Sequence, residues 1–424
     1  MWDRFLSTHR VGSSKQTTGV ASRSEFHKDY DRVIFSSAFR RLSDKTQVVP
    51  FPESDYTRQR LTHSLEVSCV GRSLATRVYA MLQDEIGSVV SQGDFEAIVA
   101  TACLAHDIGN PPFGHFGEQA IRDWAASTLQ DSQFDSLTAA ERTDLTQFEG
   151  NAQSFRVLTR LQMSNRRGGM RLTAATLGAL VKYPRPAHIE GNSRYGKHGY
   201  FLNDAELFQE AFDNIGRSQD AAGQYDRHPL AFLSEAADDI CYAIIDLEDG
   251  CRAGLIPHAD AFDILEQLAP GATGSAAMPA DDRLSMGRAM AINELVNQCV
   301  EIFRQNAARI LEGSFCEPLI KHIPAAPAHQ QAKKISVQNV FNSERVLELE
   351  AAGYRAIQGL MNILCGAAMN ETPSGFDLHV ARLTGLRLNE DQSVYERLLA
   401  CTDNVSGMTD RYCVGLYHRL SGQA

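Results

Sequence analysis

Leu104-Ala105-His106-Asp107-Ile108-Gly109-Asn110-Pro111-Pro112-Phe113-Gly114-His115-Phe116-Gly117-Glu118 is the stretch on which the reading of this chain turns. An apolar helix beginning near Asp94, with Phe95, Ile98, Val99, Ala102 and Leu104 at helical spacing, runs into adjacent His and Asp side chains. Gly109 and the Pro111-Pro112 pair then stop it, because proline lacks an amide proton and clashes with the preceding turn. Two metal-competent side chains therefore sit where the backbone turns away. Taken singly, a His-Asp pair equally fits a helix C-terminus facing solvent, so the rest of the chain has to decide.

Upstream, Arg58-Gln59-Arg60-Leu61-Thr62-His63-Ser64-Leu65-Glu66-Val67 places His63 in an amphipathic helix with Arg60 three residues before it, on the same face. One side chain can ligate a cation while the other meets phosphate. Downstream, Glu235 to Asp246 sets Asp238, Tyr242 and Asp246 on one stripe of an otherwise apolar helix, at spacings of four. A buried carboxylate is costly unless paired or bound to a cation. A ligand set of His63, His106, Asp107 and Asp238 resolves these anomalies together; the alternative is a set of solvent-facing helix surfaces.

The wider chain sets bounds. Its 424 residues carry 41 basic and 52 acidic side chains, a formal charge of −11, and 43% are hydrophobic, which is an ordinary globular composition. The acidic balance gives no general pull toward nucleic acid or anionic lipid, so anionic ligands need a metal or clustered Arg and Lys. Nine cysteines are scattered with no CxxC pair, and no run approaches the roughly 18 apolar residues of a membrane span. These features predict a cytoplasmic protein with reduced thiols and no membrane contact. Most long segments have helical periodicity and no succession of alternating strands appears, so the expected class is all-α. Residues 216–227, 270–282 and 322–334 read as loops, as does the basic run from Asn165 to Arg171. Neither GxxxxGK[ST] nor GxGxxG occurs, which argues against P-loop and Rossmann enzymes.

With these residues in view, the chain resembles the HD-domain deoxynucleoside triphosphate triphosphohydrolases, the bacterial dGTPase family. The likeness runs in order through Ser36 to Leu42, Lys45-Thr46-Gln47-Val48, Arg60 to Ser64, His106 to Glu118, Phe148 to Gln153, Lys182-Tyr183-Pro184, the Asp238-Asp239 helix and Ser406 to Asp410. It implies a helical HD core over about residues 55–255, an N-terminal segment 1–54 contributing to the nucleotide pocket, and a C-terminal helical region 256–424 that helps close the pocket or an oligomer interface. It also implies that His63, His106, Asp107 and Asp238 hold a divalent metal. In the family frame a sugar-contacting Tyr and Asp follow the metal Asp by four and eight residues, which selects Asp238 over Asp239, together with Tyr242 and Asp246. The same pattern assigns a catalytic dyad to His115 and Glu118.

Hydrolysis at an α-phosphorus needs an activated water, charge neutralisation and a proton for the leaving oxygen. Mixed His and carboxylate ligation suits Mn, Fe, Co, Ni or Zn, with Mg a weaker match. If Gly114 begins a helix, His115 and Glu118 share its first turn, and such a pair can exchange protons near neutral pH. By resemblance Arg60, Lys182 and Lys197 surround the triphosphate, while Gln47, Val48, Asn151 and Tyr183 line the pocket. Asp246 would accept the 3′-hydroxyl, and Tyr242 would occupy the space of a ribose 2′-hydroxyl. Arg411 is a candidate at the base pocket. The implied partners are a dNTP substrate, a homo-oligomer such as a hexamer, and a dNTP effector or single-stranded DNA. Alternatives are another HD phosphohydrolase, of cyclic, signalling or monophosphate nucleotides, and a non-catalytic dNTP sensor.

Overall fold

The computed structural model describes residues 2–14, 23–47, 58–189, 193–387, 389 and 391–422. Helix dominates, and among these residues no β-strand forms, only isolated bridges. The site is framed by α1 (Glu25–Ile34), α2 (Arg60–Ile86), α3 (Gln92–Ala105), α4 (Gly114–Thr128), α5 (Gly150–Arg156), α6 (Ala231–Arg252), α7 (Ala280–Glu312), α8 (Ala326–Ser336), α9 (Glu344–Met369), α10 (Val394–Ser406) and α11 (Asp410–Leu420).

Local chemistry explains where the central elements start. The Ser91 side chain accepts from the Asp94 amide and opens α3. Helix α3 is apolar on all sides, with Phe95, Ile98, Val99, Ala102 and Leu104 wholly buried among α1, α2 and α6. Burying side chains of that size stabilises each by roughly 1.5–3 kcal/mol. Such a helix can only be central.

Buried apolar side chains form two clusters rather than one. The first joins N-terminal residues Trp2 to Leu42 with α2, α3, α6, α7 and α8. The second joins residues 113–152 with α9, α10 and α11. Ile108 packs in the first cluster and Phe113 in the second, so the chain crosses between them at the turn that carries Asn110, Pro111 and Pro112. The motif that decides the fold lies on the seam.

Two loop expectations need correction. Residues 326–334, expected as loop, belong to α8, and Ala280 to Asp282 belong to α7. Pro327 falls in the first turn of α8, where the missing amide proton is harmless and the fixed φ suits a helix. Residues 216–227 are non-helical, as expected, with a Gln219–Tyr225 bridge. No helix among the described residues is long and apolar enough to cross a membrane.

Candidate active site

Three helices deliver the ligand candidates. His63 projects from the first turn of α2, His106 caps the end of α3, and Asp238 lies in α6. Gly109 lets the next turn approach closely: a Cβ there would lie 2.1 Å from the Ser154 amide nitrogen in α5. Ser154 Oγ completes that contact by donating to the His106 carbonyl while accepting from the Gly109 amide, each at 3.0 Å. The corner is therefore locked from outside.

His63, His106 and Asp107 each direct a donor atom to a common point, all within 4.8 Å of one another. Asp238 Oδ1 lies 3.4 Å from Nε2 of both His63 and His106. His106 Nδ1 is 2.6 Å from the Cys103 carbonyl, which can only accept, so Nδ1 carries the proton and Nε2 presents its lone pair to the cluster. That Nε2 is buried with no hydrogen-bond partner among the described residues. Burial disfavours a charged His106, yet Asp107 and Asp238 raise its pKa. The cluster is thus a focus of negative potential with unsatisfied nitrogen lone pairs, and the donor set fits a divalent metal.

Both carboxylates are held ionised. Burial would raise Asp107, but Arg60 and the two histidines bring it well below the usual range. Asp238 is lowered in the same way, against its burial, by Lys182 and the histidines. Arg60 Nη1 donates to Asp107 Oδ2 at 2.5 Å and Lys182 Nζ to Asp238 Oδ2 at 2.5 Å. Asp239 points elsewhere, accepting from Lys333 Nζ at 2.8 Å.

A cavity of about 400 Å³ opens on this cluster. Its wall contains Gln47, Arg60, His63, His106, Asp107, His115, Glu118, Asn151, Lys182, Tyr183, Lys197, Asp238 and Tyr242. His115 Nδ1 donates to Glu118 Oε2 at 2.9 Å; Glu118 is buried while the His115 side chain is 80% exposed. Glu118 Oε1 accepts the Gly150 amide at 2.8 Å. Burial would raise the Glu118 carboxyl, but the His115 bond and charge, Lys197 and that amide keep it below its ordinary value. Lys197 Nζ and Asn151 Nδ2 both donate to Glu149 Oε1, at 3.2 and 2.7 Å.

The Tyr242 ring stacks on Phe341, with centroids 6.2 Å apart and 17° between planes, and Lys333 Nζ lies 5.1 Å from its centroid. One turn on, Asp246 is fully buried and neither carboxylate oxygen has a hydrogen-bond partner among the described residues. It lies outside the cavity wall, and burial pushes its carboxyl well up. Arg411 is exposed and also outside the wall. Val48 falls outside the described residues.

The structure adds wall residues to which sequence reading gave no role: Thr46, Asn110, Phe113, Phe116, Phe341, Asn342, Leu347 and Glu350. Three of them stand within the decisive stretch itself. Phe341, Asn342, Leu347 and Glu350 carry no local signal, since only tertiary packing brings the segment after α8 and the start of α9 to the cavity.

The HD domain family is matched over residues 60–163 and the phosphohydrolase-associated domain over residues 324–419. A deoxyguanosinetriphosphate triphosphohydrolase-like protein of Pseudomonas aeruginosa is 39% identical, covering 100% of this chain and 99% of its own. A protein of the same description from Synechocystis sp. is 37% identical, with 99% of each chain covered. The deoxyguanosinetriphosphate triphosphohydrolase of Serratia proteamaculans is 30% identical over 93% of each. Full-length likeness of this degree, on a cavity built from the HD residues, means that the chain belongs to the deoxyguanosinetriphosphate triphosphohydrolase family of HD-domain enzymes.

Proposed function

We propose that the enzyme hydrolyses deoxynucleoside triphosphates at the α-phosphorus, releasing deoxynucleoside and inorganic triphosphate, with dGTP among its substrates. The observation that carries this reading is the meeting, in one cavity, of a His63/His106/Asp107/Asp238 cluster, an anchored His115–Glu118 pair and three cations, Arg60, Lys182 and Lys197.

His63, His106, Asp107 and Asp238 would hold the divalent ion, which when bound supplies Lewis-acid polarisation of phosphoryl oxygen and water. Mn, Mg, Co, Fe, Ni and Zn are the candidates. Arg60 offers a bidentate fork to phosphate oxygens, and Lys182 and Lys197 act as point charges. Glu118 fixes the imidazole of His115 through Nδ1, which leaves Nε2 to move a proton between solvent and the reacting oxygens. By family likeness Tyr242, backed by Phe341, would occupy the space of a ribose 2′-hydroxyl, and the buried carboxyl of Asp246, one turn on and behind the cavity wall, would reach the 3′-hydroxyl only if the pocket opens toward it. Gln47, Asn151 and Tyr183 line the remaining nucleotide surface. By family likeness we further propose a homo-oligomer, as large as a hexamer, open to dNTP or single-stranded DNA effectors.

The test is turnover of the four dNTPs and GTP with Mg, Mn or Co, with anion products separated. Triphosphate is expected, from dNTPs and not from GTP. Pyrophosphate with deoxynucleoside monophosphate would sink the reading.

A further inference from the structure

The amino-terminal segment and the catalytic turn are tied together by one buried carboxylate far away in sequence. Asp410, at the start of α11, is 2% exposed. Its Oδ1 accepts the Phe113 amide at 3.1 Å, and its Oδ2 accepts the Thr46 amide at 2.8 Å and the Thr46 hydroxyl. Beside it Lys45, equally buried, donates from Nζ to the carbonyls of Asn110 at 2.5 Å and Ser406 at 2.8 Å. The two side chains stitch Lys45-Thr46, the Asn110 to Phe113 turn and the α10–α11 junction into one unit.

What they hold is a strained piece of backbone. Phe113 has φ 60° and ψ 19°, a left-handed conformation that a non-glycine residue keeps only when its surroundings impose it. Gly114, with φ 55°, follows, and the room left by its missing side chain takes Arg60: a Cβ there would lie 2.5 Å from Nη2. His115 is the next residue. The Phe113 ring itself is pressed against Gly353 of α9, where a Cβ would lie 2.5 Å away.

We propose that Asp410 is a positioning residue for the reaction: by fixing the Phe113 amide it sets the direction in which α4 presents His115, and by fixing Thr46 it sets the wall that holds Gln47. This rests on the catalytic reading of His115 given above. Asp410 touches no reacting atom. Its carboxylate suits this place, since a negative charge at a helix N-terminus is favoured and the two oxygens serve two amides at once.

The experiment compares the parent with D410A and with D410N, which keeps one acceptor oxygen and so one of the two ties. For each, kcat and KM for a dNTP are measured alongside bound metal and melting temperature. Displacing a catalytic group by about 1 Å can cost 100-fold in rate, so D410A is expected to lose about 10- to 100-fold in kcat per metal-loaded site, with metal content intact and D410N between the two. In an E118A background, where His115 has already lost its anchor, D410A should cost under about threefold more. The same full factor in both backgrounds would overturn the proposal, as would unchanged kcat in D410A. Should D410A fail to fold, D410N and its E118A double variant carry the same comparison. Amide hydrogen exchange reads the tie without substrate: faster exchange confined to the Thr46 and Phe113–Glu118 segments is expected, and unchanged exchange there refutes it. A parent inactive on dNTPs would instead refute the activity reading, leaving the exchange result to decide this one.

Discussion

Asp238 and Asp239 are adjacent in sequence and opposite in use. Asp238 faces both histidines and Lys182, whereas Asp239 binds Lys333, whose ammonium sits over the Tyr242 ring. The assignments predict separable losses. His106→Ala or Asp107→Ala should abolish bound metal and turnover together, since removing one donor leaves the remaining charges unanswered. Glu118→Ala should keep the metal and slow turnover by roughly 100- to 10,000-fold, the usual range for general acid–base work. Metal analysis of the purified variants checks both, and full occupancy in Asp107→Ala would strike that residue from the ligand set. Tyr242→Ala should weaken discrimination against ribonucleotides, and Lys333→Met should weaken it less. Equal dNTP-to-rNTP rate ratios in Tyr242→Ala and the parent would rule out the steric role.

At the level of elements, the stretch from Leu104 to Glu118 was legible because its punctuation is local. An apolar helix, a glycine and two prolines dictate a corner whatever surrounds them, and α4 does begin at Gly114. Carboxylates on an apolar helix demand partners, but on the α6 stripe only Asp238 follows that reasoning, meeting Lys182 and both histidines, whereas Asp246 is buried with no partner among the described residues. The wall formed by Phe341, Asn342, Leu347 and Glu350 was not legible, because these residues meet the cavity only through packing of the segment after α8 and of α9, and the α8 sequence, with Pro324 before it and Pro327 in its first turn, reads as loop. Nor does local sequence reveal that Asp410 reaches Thr46 and Phe113 across the whole chain. Gly109 gives this level its test. Gly109→Ala forces a methyl group into the α5 backbone, which cannot yield like a side-chain tip. A loss of about 1–3 kcal/mol is expected from overpacking alone, measured by urea unfolding, with metal affinity falling as His106 shifts. Parent-like stability would mean that the corner is softer than its contacts imply.

For the whole molecule, the two apolar clusters make the site a property of their contact, and a carboxyl buried on one side of that contact should set how stability responds to pH. Asp144, in the Ala139–Thr146 helix, is completely enclosed within the second cluster's side of the molecule. Its Oδ2 accepts the Leu202 amide at 2.6 Å and the Tyr395 hydroxyl at 2.5 Å, while Oδ1 has no partner among the described residues. Burial, aided by the charge of Asp204 and opposed by those two bonds and Arg156, pushes the carboxyl up to about 7. In the unfolded chain the same group ionises near 3.8. Between these values the folded state holds a proton that the unfolded state has released, so this group's contribution to stability falls as pH rises from about 4 to about 7 and is level above. Asp144→Asn cannot ionise, yet its amide can still accept from Leu202 and donate toward Tyr395. The difference in melting temperature between variant and parent should therefore move in the variant's favour from pH 5 to pH 8. A difference that stays constant across that range would show that Asp144 ionises in the folded protein as it does in water, and that the packing around it is more open to solvent than its burial indicates.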